Sequence, residues 1–398
     1  MNLNNPHLLI EIDDKEFIFF VIKFDQNLKF ETLHFNKINS QGISKGSVVD
    51  INLVSKIIKE NINQIEKKIN FIFKDSTIII NPNKIESINI SGFKKLNGLQ
   101  ISKQDVTYIL NDIKKIIKLN EPKKELIHLF NSNFILDKNE LDKIPIGLHG
   151  EFYNQDMTFF IADKNVFKNI KLVFNFCNIN INRIILKTFA DGIYKISTNN
   201  EYNNSINFEF KRNRIITSVF KNKSYVFIDH LNFGTDMIIK DVVKICSLNF
   251  DSVNFFLKDI KIENLNAEQD DKYLDRKYFG KSLYRKIRVN HIINIINSRI
   301  DEFIDLVLEK NTNMICFKKR NTIIHFSFEE IYLIKFFETN LKKRKNIRDK
   351  IIFNKNIELS ESCLGSVELI SKGWEREAIP IVNPEKSIIS RLFAFLFD

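Results

Sequence analysis

The stretch His7-Leu8-Leu9-Ile10-Glu11-Ile12-Asp13-Asp14-Lys15-Glu16-Phe17-Ile18-Phe19-Phe20-Val21-Ile22-Lys23-Phe24-Asp25 holds two apolar runs on either side of two adjacent aspartates. β-branched and aromatic residues fill both runs, so the segment reads as two strands around an acidic turn at Asp13-Asp14. Gly42 and Gly46 frame the next turn. From Asp50 onward, Ile51, Val54, Ile57, Ile58, Ile62 and Ile65 recur at helical spacing, and Phe71 to Ile80 returns as a strand. Two strands, a helix and a further strand make the opening of an α/β protein.

Working outward, Pro82, Gly92 and Gly98 mark a change of texture. Ser102 with Asp105 three residues later has the form of a capping box. Val106, Ile109, Leu110, Ile113 and Ile117 give the following helix its apolar face. Short strands are expected from there to about Phe160, which makes a small α+β unit. Helix resumes from Asn165, followed by a strand over Arg183 to Leu186 and another helix. Ile206 to Phe233 is rich in strands, Asp236 to Ser247 reads as helix, and Tyr284 to Glu309 as one long helix with an isoleucine face. Pro380 and Pro384 punctuate a final linker. No internal repeat can be counted, but two α/β lobes in tandem suit the order, and 398 residues exceed what one core usually fills.

Apolar residues at 44% and charged residues at 27% exclude a globally disordered chain. The net charge of +11 permits an anionic partner, but acids interleave the basic residues. The densest basic run, Lys342-Lys343-Arg344-Lys345, reads as a solvated face, so nucleic-acid binding is not expected. Cys177, Cys246, Cys316 and Cys363 lie too far apart for a metal site and read as reduced, buried thiols of a cytosolic protein. His128, His149, His230, His291 and His325 have no partner at a nucleophile's spacing and read as structural. Asp301 and Glu302, like other acid pairs, read as helix surface. No signal peptide is expected, since Asp13, Asp14, Lys15 and Glu16 interrupt the first apolar stretch, and the sequence has no eighteen-residue apolar run. Only 11 glycines occur, well below the usual ~7%, which leaves few places to wrap backbone around a phosphate.

Several pieces taken in order resemble FtsA, the actin-like bacterial division protein. They are Gly42-Ile43-Ser44-Lys45-Gly46-Ser47-Val48-Val49-Asp50, Ile90-Ser91-Gly92 with Gly98 and Ile101 to Leu110, and His128 with Ile144-Pro145-Ile146-Gly147-Leu148-His149-Gly150. Lys168-Asn169-Ile170 through Arg183-Ile184-Ile185-Leu186 to Ala190, and Asn297-Ser298-Arg299-Ile300-Asp301-Glu302, continue the series. The resemblance implies an α/β, actin-like (ribonuclease H-like) two-lobe fold with an inserted small α+β subdomain and a C-terminal amphipathic helix. On that frame, residues 1–82 are the first lobe, 83–160 the insertion, 161–204 the return to the first lobe, and 205–240 with 311–360 the second lobe. Residues 241–310 are its helical subdomain, 361–378 a further return to the first lobe, and 379–398 the linker and membrane-targeting helix.

The resemblance also implies a nucleotide cleft, and there the sequence departs from it. The first phosphate loop falls on Glu11-Ile12-Asp13-Asp14, with two extra carboxylates and no glycine. The second falls on Glu209-Phe210-Lys211-Arg212-Asn213-Arg214, again without glycine, and Phe317-Lys318-Lys319-Arg320 stands at the adenosine side. Lys211, Arg212 and Arg214 could still attract an anion, but they read first as a solvated hairpin turn. No catalytic residue, no metal ligand and no cofactor are expected, with ATP and magnesium held only if the degenerate cleft still binds.

At the C-terminus, Ile389, Leu392, Phe393, Leu396 and Phe397 share one helical face, and Ser390, Arg391, Ala394 and Asp398 the other. The segment from Ile388 is about 16 Å long as a helix, far short of a bilayer, so it lies on a membrane or docks on protein. Arg391 and Lys386 supply its only positive charge. The expectation is a non-enzymatic adaptor that tethers FtsZ filaments to the cytoplasmic face of the inner membrane at the division site. It would bind through residues around 241–310, self-associate into filaments or rings, and meet other division proteins. The competing expectations are an ATPase of the actin and Hsp70 superfamily and a pilus-assembly actin-like protein.

Overall fold

The computed structural model describes residues 5–199, 201–260, 272–280, 283–311, 321–344, 350–354 and 359–378. Residues Met1–Asn203, Phe220–Ile228 and Ile357–Asp398 form one compact unit, and Asn204–Val219 with Asp229–Asn356 form a second.

In the first unit, β1 (His7–Ile12), β2 (Glu16–Phe24) and β3 (Phe30–Asn39) run antiparallel, and the small hairpin β4 (Ile43–Ser44) and β5 (Ser47–Val48) follows. Helix α1 (Ile51–Ile69) starts where the Asp50 carboxylate caps the Leu53 amide, and stops at Asn70 in the left-handed region. It buries Val54, Ile58, Ile62 and Ile65, the face that the spacing predicts. Strand β6 (Asp75–Ile80) begins four residues later than the apolar run suggests. The Phe73 amide is drawn off to the Glu66 carboxylate, and Phe71 and Phe73 pack edge to face outside the ladder.

A subdomain then interrupts the unit: β7 (Ile85–Lys95), α2 (Lys103–Asn120), β8 (Lys124–Leu136), β9 (Asn139–Leu141) and β10 (Phe152–Asp163). Its sheet has the order β7-β10-β8-β9, and α2 opens with the reciprocal Ser102–Asp105 capping box. Val106, Ile109, Leu110 and Ile113 pack on Leu129, Phe134, Tyr153, Met157 and Phe159. The strands are not short, since β8 and β10 run 13 and 12 residues with register shifts between them. Such bulges let the pair twist without ending.

The chain returns through α3 (Lys164–Phe176), β11 (Asn180–Leu186) and α4 (Lys187–Thr198). The completed sheet has the order β11-β6-β1-β2-β3, with β1, β6 and β11 mutually parallel.

A second set of elements, all in the second unit save Phe220–Ile228 of β13 and β14, repeats this plan: β12 (Asn204–Phe210), β13 (Ile215–Lys221), β14 (Ser224–Leu231), α5 (Asp236–Cys246), α6 (Phe250–Asp259), α7 (Val289–Ile304), β15 (Thr322–Phe328), α8 (Ile334–Lys342) and β16 (Lys350–Asn354). Its sheet order, β14-β13-β12-β15-β16, matches the first sheet strand for strand, again with β12, β15 and β16 parallel. The duplication lies in topology and leaves no sequence period. Helix α9 (Glu361–Lys372) then adds to the first unit, where Cys363, Val367 and Ile370 pack on Leu9, Ile18, Phe20, Ile22 and Ile79.

Two expectations fail for tertiary reasons. The long helix from Tyr284 starts only at Val289, because Tyr273 bridges to Arg288, and the Leu274 and Val289 amides donate to Ile287 and Lys272. Pairing of extended backbone outweighs the isoleucine spacing there, and residues Asp305–Glu309 close the element as a π-helical turn. The Lys342–Lys345 run is not simply solvated, since Arg344 pairs with Asp305, with Glu309 at 3.1 Å and with Asp301 at 3.4 Å. Lys345 lies outside the described residues.

Candidate functional site

In the first unit, register aligns Ile12, Ile80 and Leu186 as the last rungs of three parallel strands. Asp13, Asn81 and Lys187 therefore stand next, at the carboxyl edge of the sheet, where open α/β sheets usually bind ligands. Glu11 lies one rung deeper and is fully buried. Its Oε1 accepts from the Lys187 ammonium, and its Oε2 accepts from Ser362 Oγ and, at 2.8 Å, from Ser360 Oγ. The same ammonium is 3.4 Å from Asp13 Oδ2, so one lysine is shared by two buried carboxylates.

In and beside the turn, the chain's own oxygens take the amides of Asp13, Asp14 and Gly46. The Asp14 amide donates to Asp13 Oδ1 at 2.8 Å, and the Asp13 amide to the Glu16 carbonyl at 3.2 Å. The Gly46 amide donates to Asp14 Oδ1 at 2.6 Å. Gly46 sits at φ 69° and so close to Asn81 that a Cβ would lie 2.1 Å from the Asn81 carbonyl oxygen, which is why this hairpin needs glycine. The carboxylates of Asp13 and Asp14 thus accept hydrogen bonds of the kind a phosphate would accept.

The second unit uses the same device with the charges changed. Phe210 pairs with Phe328 in register, so Lys211 and Glu329 stand at its carboxyl edge. Lys211 to Arg214 form a tight turn, with the Lys211 amide donating to the Arg214 carbonyl at 2.9 Å. The turn is solvated only in part, since Arg212 and Asn213 are exposed. Arg214 is buried, and the Arg212 guanidinium is fixed on Glu330 through Nε at 2.7 Å and Nη2 at 2.6 Å. The Arg212 amide donates to the Glu329 carboxylate at 3.1 Å. Glu330 beside it raises the Arg212 pKa above its ordinary value. Lys211 approaches Glu209 at 3.6 Å.

The amides of Thr235 and Asp236, at the start of α5, donate to the carbonyls of Lys211 and Arg212. Gly234 makes that approach possible, since a Cβ there would lie 2.2 Å from the Lys211 carbonyl. The first amides of the helix are thus taken by backbone carbonyls.

The predicted positions fall in two groups. Glu11, Asp13 and Asp14 come together in the first unit; Glu209, Lys211, Arg212 and Arg214 come together in the second. Phe317 and Lys318 lie outside the described residues, as do Ile389, Arg391, Leu392, Phe393, Leu396 and Phe397. Sequence reasoning missed Lys187, Ser360 and Ser362, which carry no local signal, and Glu329 and Glu330, whose only signal is a pair of acids after an apolar strand. Three cysteines, Cys177, Cys246 and Cys363, are buried free thiols, and burial raises the pKa of each. Cys316 lies outside the described residues.

Within residues 241–310, a basic recess of about 450 Å³ lies at the end of α5. Arg285, Lys286, Arg288 and His291 line it with Ser247 and Ile287, and Arg285 donates to the Ser247 carbonyl at 2.5 Å.

Two five-stranded sheets of one strand order, each with parallel strands ending at a loop edge, and a subdomain inserted after β6 define an actin-like protein. Residues 83–158 match the family model of the SHS2 domain inserted in FtsA. Over 294 residues the chain is 19% identical to the cell division protein FtsA of Buchnera aphidicola subsp. Acyrthosiphon pisum (strain APS), covering 73% of this chain and 68% of that protein. Against FtsA of Enterococcus hirae the identity is 20%, with 68% and 61% covered, and against FtsA of Bacillus subtilis (strain 168) it is 19%, with 69% and 62% covered. The chain therefore spans about three fifths of the length of the latter two. A solved PilM-PilN type IV pilus biogenesis complex superposes with a TM-score of 0.54 at 7% identity, covering 93% of this chain and 98% of that one, a likeness of fold alone. The chain is FtsA-like, with an actin-like fold and an FtsA-type insertion.

Proposed function

We propose that this chain works in cell division as a non-enzymatic adaptor that holds FtsZ filaments on the cytoplasmic face of the inner membrane. The observation that carries the reading is the closure of both loop edges. The chain's own groups take the amides of Asp13, Asp14, Gly46, Lys211, Arg212, Thr235 and Asp236, and Glu11, Asp13 and Asp14 oppose a phosphate by charge. An ATPase of this fold needs those amides for its substrate. The body then serves as a scaffold, assembled without a nucleotide cycle.

Two further features support an adaptor. The apolar face of Ile389, Leu392, Phe393, Leu396 and Phe397 suits an interfacial helix of the membrane surface. The recess of Arg285, Lys286, Arg288 and His291 suits an acidic peptide segment, and it lies in the region where the FtsA resemblance puts the FtsZ tail. Among the described residues no helix is long and apolar enough to cross a membrane. A single tail binds weakly, so self-association into filaments or rings, alongside other division proteins, would supply avidity.

The test is co-flotation of FtsZ with anionic vesicles in the presence of the full chain. FtsZ is expected to float, and to stay behind when Arg285 and Lys286 are both changed to Glu while the chain itself still floats. Failure of FtsZ to float with the unaltered chain overturns the reading.

A further inference from the structure

The residues after α9 are fastened in a way that the scaffold does not require. The chain turns at Gly373, and Trp374 Nε1 donates to the Lys223 carbonyl at 2.6 Å. Strand β9 pairs only with Phe134 to Leu136, so the earlier part of that β8 edge is open. Arg376 to Ala378 fill it: the Asn131 amide donates to the Arg376 carbonyl at 2.9 Å, the Ala378 amide to the Leu129 carbonyl at 2.7 Å, and Phe130 bridges Glu377 antiparallel.

This short added strand is closed by a buried charge. Glu377 is 2% exposed, takes a hydrogen bond from Arg183, and receives another from His128 Nδ1 at 2.7 Å. His128 Nε2 in turn accepts the Leu186 amide at 3.1 Å, which fixes its proton on Nδ1. A second proton on that ring would point at an N–H donor. Arg183 and Glu377 are the charged groups that act on His128, and Arg183 and His128 those that act on Glu377. Burial holds His128 below its ordinary pKa. For Glu377 burial alone would raise it, but Arg183 and His128 keep it low.

An apolar residue would close this joint without the desolvation that a buried ion triad costs. A charge makes the closure conditional instead. We propose that Gly373 to Ala378 form a releasable strap, locked by Glu377 in the His128–Arg183 socket, that sets where the C-terminal tail leaves the body and how far it reaches. The link to reach rests on the membrane reading of the tail. With the strap closed, nine residues (379–387) lead to the amphipathic segment, a span of at most about 30 Å; release adds six more and extends it to about 50 Å. A longer tether lowers the effective concentration of each anchor for its neighbours in an assembly.

Amide hydrogen exchange of the full-length protein tests the strap without any vesicle, so a failed membrane reading leaves the result intact. In Glu377→Gln, exchange at Asn131 and Ala378 is expected to rise about tenfold or more, while Ile10 and Ile79 in the central strands keep their protection. If that variant fails to fold, His128→Gln and acidification of the unaltered protein toward pH 5 replace it, and both are expected to speed the same two amides after correction for intrinsic rates. Unchanged protection at Asn131 and Ala378, or loss spread evenly through β1 and β6, overturns the strap. Should the strap open while the chain ignores vesicles, the device stands and only its role for the membrane falls.

Discussion

Changing Lys187 to Met removes a cation shared by Glu11 and Asp13. Glu11 is fully buried and Asp13 is 5% exposed, so neither carboxylate can recover its charge balance from water. At an effective dielectric of ~20, the 3.4 Å separation from Asp13 alone corresponds to about 5 kcal/mol of gross attraction. Breaking buried pairs by deleting one partner costs about 3–5 kcal/mol, so the same range is expected here. The double variant Lys187→Met with Glu11→Gln removes a charge of each sign and keeps the hydrogen bonds from Ser360 and Ser362. It should recover at least about half of the loss, by the same reasoning. Urea unfolding followed by fluorescence of Trp374, the only tryptophan, reports on this unit, because its ring lies edge-on to Phe189 of α4, 6.5 Å away. A cost below about 1 kcal/mol for Lys187→Met, or a double variant no more stable than the single, would refute the claim that this pair holds the loop edge shut.

Other consequences follow from packing, titration and the tail. Gly365→Ala would place a Cβ 1.9 Å from the Ala190 carbonyl, so overpacking of about 1–3 kcal/mol outweighs the ~1 kcal/mol gain in helix propensity; a melting curve showing equal or higher stability would contradict the α4–α9 contact. Burial lowers His7 and His230 to about 4, so below pH ~6.5 the unfolded chain binds protons that the folded chain does not. The contribution of these two groups is therefore flat above pH 7 and costs about 2–4 kcal/mol of stability from pH 7 to pH 5, checked by urea midpoints at the two values. Changing Phe393 and Phe397 to Asp should abolish flotation on vesicles and leave the melting curve alone, since each change removes ~2 kcal/mol of apolar transfer; Arg391→Ala should weaken binding by about 1 kcal/mol and only on anionic vesicles. A double variant that still floats, or that melts early, would mean that the tail is not the anchor.

What the sequence shows in advance is what is local. Asp50 before Val54, Ile58, Ile62 and Ile65 locates α1, and Ser102 with Asp105 locates α2, because caps and helical faces act over a few residues. The missing glycines mark both loop edges for the same reason. What closes those edges is out of reach: Lys187 meets Glu11 across 176 positions, and Arg212 meets Glu330 across 118. No spacing rule links such partners, and Lys211 to Arg214 therefore read as a solvated turn when Arg214 is buried. Tyr284 to Arg288 mislead for a related reason, since the neighbouring strand-like segment at Lys272 to Leu274 takes their hydrogen bonds. The Glu377 socket draws on β8, β11 and the chain after α9, so it exists only in the folded chain.

The most direct test of the account is a calorimetric titration of the full-length protein with ATP and magnesium, with phosphate release measured alongside. Closed loop edges predict no binding tighter than about millimolar, which is roughly 4 kcal/mol, and no hydrolysis above background. Micromolar binding accompanied by hydrolysis would contradict it.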